Sequence, residues 1–252
     1  MTARGRHIAW VLALVFLVSA GQAFAGPIGT TGNLTWVRQS GFYSGTSGGG
    51  EFTAYNYTGV SNADYSAVAS NMGNYDPSFQ TFCLEAKESA VNTNRTLYFV
   101  VGSAAVYGGT TGSSDTLSRG TAWLYSQFAQ GALEGYPAAG PRGTWSNDLQ
   151  NAIWAFEGEQ GGVQNALYNL ALSNVQDATV DSTPGFLGVY VLNNFSTAAA
   201  RDAFVASQGT VISGVKQDFL YFQAPVPDGG ATLMLLGGAL VGLGALRRKF
   251  DR

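Results

Sequence analysis

The chain has 252 residues, 46% of them hydrophobic, with 13 basic and 16 acidic side chains, one cysteine and one histidine. That histidine, His7, stands in a leader-like N-terminus, so the residues after it cannot assemble a Ser-His-Asp triad, a Cys-His dyad or a histidine metal site. Between residues 26 and 226 seven basic residues face fourteen acidic ones, and a segment with a net charge of −7 lacks the cationic patch that nucleic acid requires.

Arg4 and Arg6, the apolar stretch Ile8 to Ala20 and the small-x-small triplet Ala23-Phe24-Ala25 have the order of a secretory signal peptide, so residues 1–25 are expected to be removed before Gly26. "NLTWVRQ" and "EFTAYNYTG" alternate β-branched and aromatic residues, with Thr53, Tyr55 and Tyr57 on one face, and "SGTSGGG" between them is a loop or hairpin signal. "SNADYSAVASNMGNYDPS" is polar and turn-rich and is expected as a long surface loop. "FQTFCLEA" and "TLYFVVGSAAVYGG" read as further strands.

The period then changes. After Asp115, a possible N-cap, Thr121, Leu124, Tyr125 and Phe128 recur at helical spacing. Ser146 can cap a second helix whose stripe is Leu149, Ala152, Ile153 and Phe156, and Val163, Ala166, Leu167 and Leu170 outline a third. Glu157 and Glu159, two apart on what reads as an exposed turn, are expected as solvated surface rather than an acid/base pair. Strand "GFLGVYVLNN", a short helix capped by Ser196 or Thr197 and closed by Gly209, and a strand pair in "GTVISGVKQDFLYFQAPVP" complete the domain. Strands flanking a helical block predict an α+β fold, a β-sandwich or barrel-like ectodomain with a helical insertion over residues 26–224, plus a signal helix and a single C-terminal transmembrane helix.

From Ala231 to Leu246 there is no charge, and Arg247, Arg248, Lys249 and Arg252 follow. Sixteen residues at ~1.5 Å each make a ~24 Å helix, short for a bilayer but extendable through Gly229 and Gly230, and the basic cluster would face the cytoplasm. Everything before Pro227 would then lie outside. Val226-Pro227-Asp228-Gly229-Gly230, the apolar run and Arg247-Arg248-Lys249 together resemble the PEP-CTERM class of sorting signals, in the variant opening Val-Pro-Asp-Ser/Gly-Gly. The resemblance implies an exosortase-type transpeptidase as partner, residues 225–252 as a temporary anchor, and delivery to the cell surface or an exopolysaccharide-rich matrix. A permanent single-span anchor fits the same hydropathy.

Cys83 has no partner for a disulfide in this chain, and its first reading is a small buried hydrophobe. A sharper one comes from three segments in order: "FCLE" around Cys83, "LQNAIW" with Gln150 and Trp154, and a late glutamine before an apolar pair. These resemble the thioester domains of bacterial surface adhesins, although Leu149 stands where that family has threonine. The resemblance implies an internal thioester from Cys83 to a glutamine, either Gln217, followed by Phe219 and Leu220, or Gln208. Gln150 and Trp154 would orient the carbonyl and exclude water, and an amine on a partner would open the bond. The competing reading is a non-covalent matrix or glycan-associated protein with Tyr43, Tyr55, Tyr57 and Tyr75 as its platform. Neither reading calls for enzymatic turnover, a metal or a cofactor.

Overall fold

The computed structural model describes residues 28–42, 49–88, 93–107, 114–137 and 141–224, all within one compact unit, Pro27–Pro225. The signal peptide, Tyr43, the sorting motif Val226 to Gly230, the apolar run and Arg247, Arg248 and Lys249 lie outside the described residues. Among the described residues no helix is long and apolar enough to cross a membrane.

Six strands form one antiparallel sheet. They are β1 (Thr31–Val37), β2 (Phe52–Thr58), β3 (Ser78–Thr81), β4 (Thr96–Gly102), β7 (Val189–Phe195) and β8 (Val215–Phe222), in the order β3-β2-β1-β4-β7-β8. β5 (Ala104–Ala105) and β6 (Asp115–Thr116) pair separately. Register follows burial: Trp36 opposes Ala54, Leu34 opposes Leu97, and Val191 opposes Leu220, which keeps apolar side chains on matched faces.

The sheet is strongly curled. Trp36 of β1 and Phe52 of β2 both reach Phe219 of β8, with ring centroids 5.9 Å and 5.7 Å apart, although β4 and β7 separate β1 from β8 in the hydrogen-bonded order. Such contacts are possible only across the inside of a curved sheet. The residues just beyond β3 then meet β8: Cys83 forms an isolated bridge with Phe219, Leu84 N donates to Asp218 O at 3.1 Å, and Leu220 N donates to Phe82 O at 3.1 Å. The two edges of the sheet are therefore joined, and the result is a curled half-barrel rather than a sandwich of two facing sheets.

Helices α1 (Arg119–Ala129), α2 (Gly143–Phe156) and α3 (Ala166–Asn174) pack together, and α1 also packs against β7 and β8. Gly120 permits the close approach of α1 and α2, because a Cβ there would lie 2.5 Å from the Phe156 ring. Phe82 turns toward this layer and meets Phe128 of α1 edge to face at 5.2 Å, while neighbouring Cys83 turns to the opposite side. Tyr125 of α1 reaches the carbonyl oxygens of Gln80 and Leu220 at 2.9 and 3.0 Å, so one side chain bridges both edges of the seam.

Several local expectations change. Ser118, not Asp115, caps α1, accepting from Thr121 N at 3.1 Å, and α2 starts three residues before Ser146, whose hydroxyl instead donates to Phe42 O at 2.5 Å. Asn165 caps α3, leaving Val163 outside it and half exposed. α4 (Ala198–Ala206) is capped by Thr197 as expected. The stretch before Val215 is not a strand, and Val211 and Ile212 are exposed. The polar segment after β2 is no surface loop: Tyr65, Ala69 and Met72 are buried, and Tyr65 stacks on Phe79 at 5.3 Å.

Candidate functional site

Cys83, Gln150 and Gln217 meet at the seam where the sheet edges join. Cys83 and Gln217 are each 2% exposed and Gln150 is 0% exposed. Gln150 projects from the middle of α2 onto the Cys83 backbone with its whole carboxamide engaged. Its Oε1 accepts from Cys83 N at 3.0 Å and from Gly50 N at 2.9 Å, and its Nε2 donates to Cys83 O at 2.8 Å. A buried backbone N–H or C=O without a partner costs about 1–3 kcal/mol, so this clamp supplies what a strand neighbour would otherwise give.

The glycines before β2 make room for it. A Cβ on Gly49 would collide with Gln150 Cγ, and one on Gly50 would stand 2.9 Å from Thr81 O. Glu51, next along, is fully buried with Arg142, the residue that opens α2; Arg142 also donates to Val68 O at 2.7 Å, and Tyr136 donates to Glu51 at 2.7 Å. Burial pushes the Glu51 carboxyl up to about 7 even with the guanidinium beside it. This ion pair fixes the start of α2 against the start of β2, and Gln150, two turns along the helix, inherits that position.

Gln217 lies two residues before Phe219, the bridge partner of Cys83, within the stretch where the register of β8 against β7 shifts. Its Nε2 donates to Glu85 O at 2.7 Å, two residues beyond the cysteine. Gln208, the alternative, is exposed in a left-handed turn after α4 at φ 53°. Trp154 is 4% exposed, one helical turn beyond Gln150, and its indole Nε1 has no hydrogen-bond partner among the described residues. Burial raises the Cys83 thiol well above its usual range, with Arg38 pulling weakly the other way, so the sulfur is held protonated.

Glu157 and Glu159 depart from expectation: both are buried, not on a solvated turn. Glu157 accepts from the Ser118 hydroxyl at 2.7 Å and its backbone N–H at 3.2 Å, and burial pushes it up to about 7. Glu159 accepts from Ala86 N at 3.2 Å, immediately beside Glu85. Burial, and then the neighbouring Glu159, push Glu85 up to about 9. No local spacing marks Glu51 or Arg142, and Asp115 reads only as a helix cap; a charged residue inside an apolar run, as in "TFCLEA", is the signal for Glu85.

The VPDSG-CTERM motif matches the chain at residues 225–250. The chain therefore carries a PEP-CTERM-type sorting signal, which marks an exported, surface-directed protein that is processed by an exosortase at the membrane. No curated protein and no solved structure matches it.

Proposed function

We propose that the protein is a covalent surface adhesin: residues 1–25 direct export, residues 26–224 form the working domain, an exosortase acts at 225–252, and a thioester joins Cys83 to Gln217. The observation that supports this reading is that Cys83 and Gln217 are both buried at the seam, Gln217 bonding the carbonyl of Glu85 two residues beyond the cysteine, with Gln150 holding the cysteine backbone. The four bonds from Cys83 Cβ through Sγ and Cδ to Gln217 Cβ reach less far than the ~7–8 Å of ordinary diagonal neighbours, so closing the thioester draws the two residues together across the seam.

In the reaction Cys83 Sγ attacks Gln217 Cδ. The S–C bond forms, the C–N bond breaks, and the thiol proton leaves with the amide nitrogen as ammonia. The thiolate is the attacking species, so the thiol proton must pass to the departing amide nitrogen as the S–C bond forms, a transfer that leaves no net charge in the buried site. Burial of Cys83 and Gln217 protects the product from water. An amine on a partner surface then forms an amide with Gln217 Cδ and returns the free Cys83 thiol, once per molecule and without turnover.

Intact mass tests it. The mature wild type should weigh one ammonia, about 17 Da, less than its sequence, and Cys83→Ala should remove the deficit. A full-mass wild type with an alkylatable Cys83 would end the covalent mechanism.

A second reading is favoured by Tyr55 and Tyr75, whose rings pair 4.4 Å apart, both partly exposed, with the Tyr55 hydroxyl donating to Asn94 at 3.0 Å. They form a small aromatic platform of the kind sugars stack on, whereas Tyr57 is turned toward Phe79 at 5.2 Å. Reversible binding to purified exopolysaccharide, lost in Tyr75→Ala, supports this; binding that withstands a denaturing wash supports the thioester.

A further inference from the structure

Beside the seam, three acidic side chains from separate parts of the chain converge: Glu85 just after the bridge, Asp115 on β6 and Glu159 beyond α2. One carboxylate oxygen from each lies within 4.8 Å of the other two. Glu85 is fully buried and no donor outside the cluster reaches either of its oxygens among the described residues, its side-chain hydrogen bond being to Glu159; Glu159 is 6% exposed and its Oε1 likewise meets no donor outside the cluster. The contrast with nearby carboxylates is sharp. Asp218 accepts from Val106 N and Asn194 N, both at 3.1 Å, and Glu157 is held by Ser118. Buried carboxylate oxygens normally find donors, so a fully buried carboxyl that meets only other carboxyls is a ligand set in which a proton takes the place a cation can fill.

We propose that Glu85, Asp115 and Glu159 bind a calcium ion. Two oxygens on one calcium at about 2.3–2.6 Å each can stand at most about 4.6–5.2 Å apart, and the observed convergence falls within that limit. The donors are all oxygen, with no histidine or cysteine sulfur, which selects a hard cation over zinc or copper. Magnesium requires about 2.0–2.1 Å and a near-ideal octahedron, and usually keeps several of its waters on one or two carboxylates, so a set of three carboxylates suits calcium better. An exported protein meets calcium at concentrations where even a weak site, with a dissociation constant of about 10⁻⁴–10⁻³ M, is filled. Because Gln217 Nε2 bonds the backbone carbonyl of Glu85, the ion would also steady that turn, but its binding does not depend on the thioester.

The test uses the full-length protein purified in detergent and stripped with a chelator. Thermal unfolding is followed in chelator, in calcium and in magnesium, each ion at about 1 mM. Calcium should raise the wild-type midpoint by several degrees and magnesium by clearly less. Glu159→Gln should lose the calcium response and, in chelator, melt above the wild type because a like charge has gone. Equilibrium dialysis of the wild type against radioactive calcium should give one ion per chain, which keeps the test decisive if a variant fails to fold. No calcium shift with no bound ion, an equal magnesium shift, or a full calcium response in both Glu85→Gln and Glu159→Gln would overturn the assignment.

Discussion

The Cys83 seam and the acidic cluster beside it are both buried, both polar and only two residues apart in sequence, yet they are built in opposite ways. At the seam the carboxamides of Gln150 and Gln217 are committed to backbone groups of Cys83, Gly50 and Glu85. In the cluster Glu85 and Glu159 leave oxygens without donors from outside it. The difference teaches how to read buried polarity: satisfied groups fix a geometry, whereas unsatisfied ones of like charge call for something from outside.

Removing the frame beneath the seam should have the largest effect. Arg142→Met leaves the Glu51 carboxylate buried without its counter-ion, and breaking such a pair costs about 3–5 kcal/mol. Urea unfolding should show that loss, and the double variant with Glu51→Leu should recover much of it. Gln150→Leu comes next. It strands Gly50 N and both backbone groups of Cys83, three groups at about 1–3 kcal/mol each where water cannot reach them, so denaturation should record a loss of about 3 kcal/mol, the low end of that sum. Gln150→Glu, which keeps an acceptor for both N–H groups, should fall between that variant and the wild type. Gly50→Ala forces a Cβ against Thr81 O, and overpacking of this sort costs about 1–3 kcal/mol. Gln208→Ala, on the exposed turn, should change stability by less than about 0.5 kcal/mol and leave the mass of the protein otherwise untouched.

Much of this arrangement could be read from the sequence, and the rest was hidden for definite reasons. Cys83, Gln150, Trp154 and Gln217 stood out because their spacing resembled a known motif set, and the strands around them alternated plainly. The curl of the sheet was not readable, since it depends on Trp36, Phe52 and Phe219 meeting across an interior that no local period encodes. Arg142 looked like a loop residue in "GYPAAGPRG" because its partner Glu51 lies 91 residues away. Glu157 and Glu159 looked solvated because a short acidic spacing carries no information about the seam that folds over it. The segment around Tyr65 was misjudged through its polar composition, as three apolar side chains suffice to anchor it.

The most direct test of the covalent mechanism is peptide mapping of the mature protein after a brief tryptic digest. Trypsin cuts after Lys216 and so separates Gln208 from Gln217. The account predicts that the peptide ending at Lys87, which contains Cys83, is joined to the peptide beginning at Gln217, with one ammonia missing from the sum. Two separate peptides with an unmodified Cys83, or Cys83 joined to the peptide that holds Gln208, would contradict it.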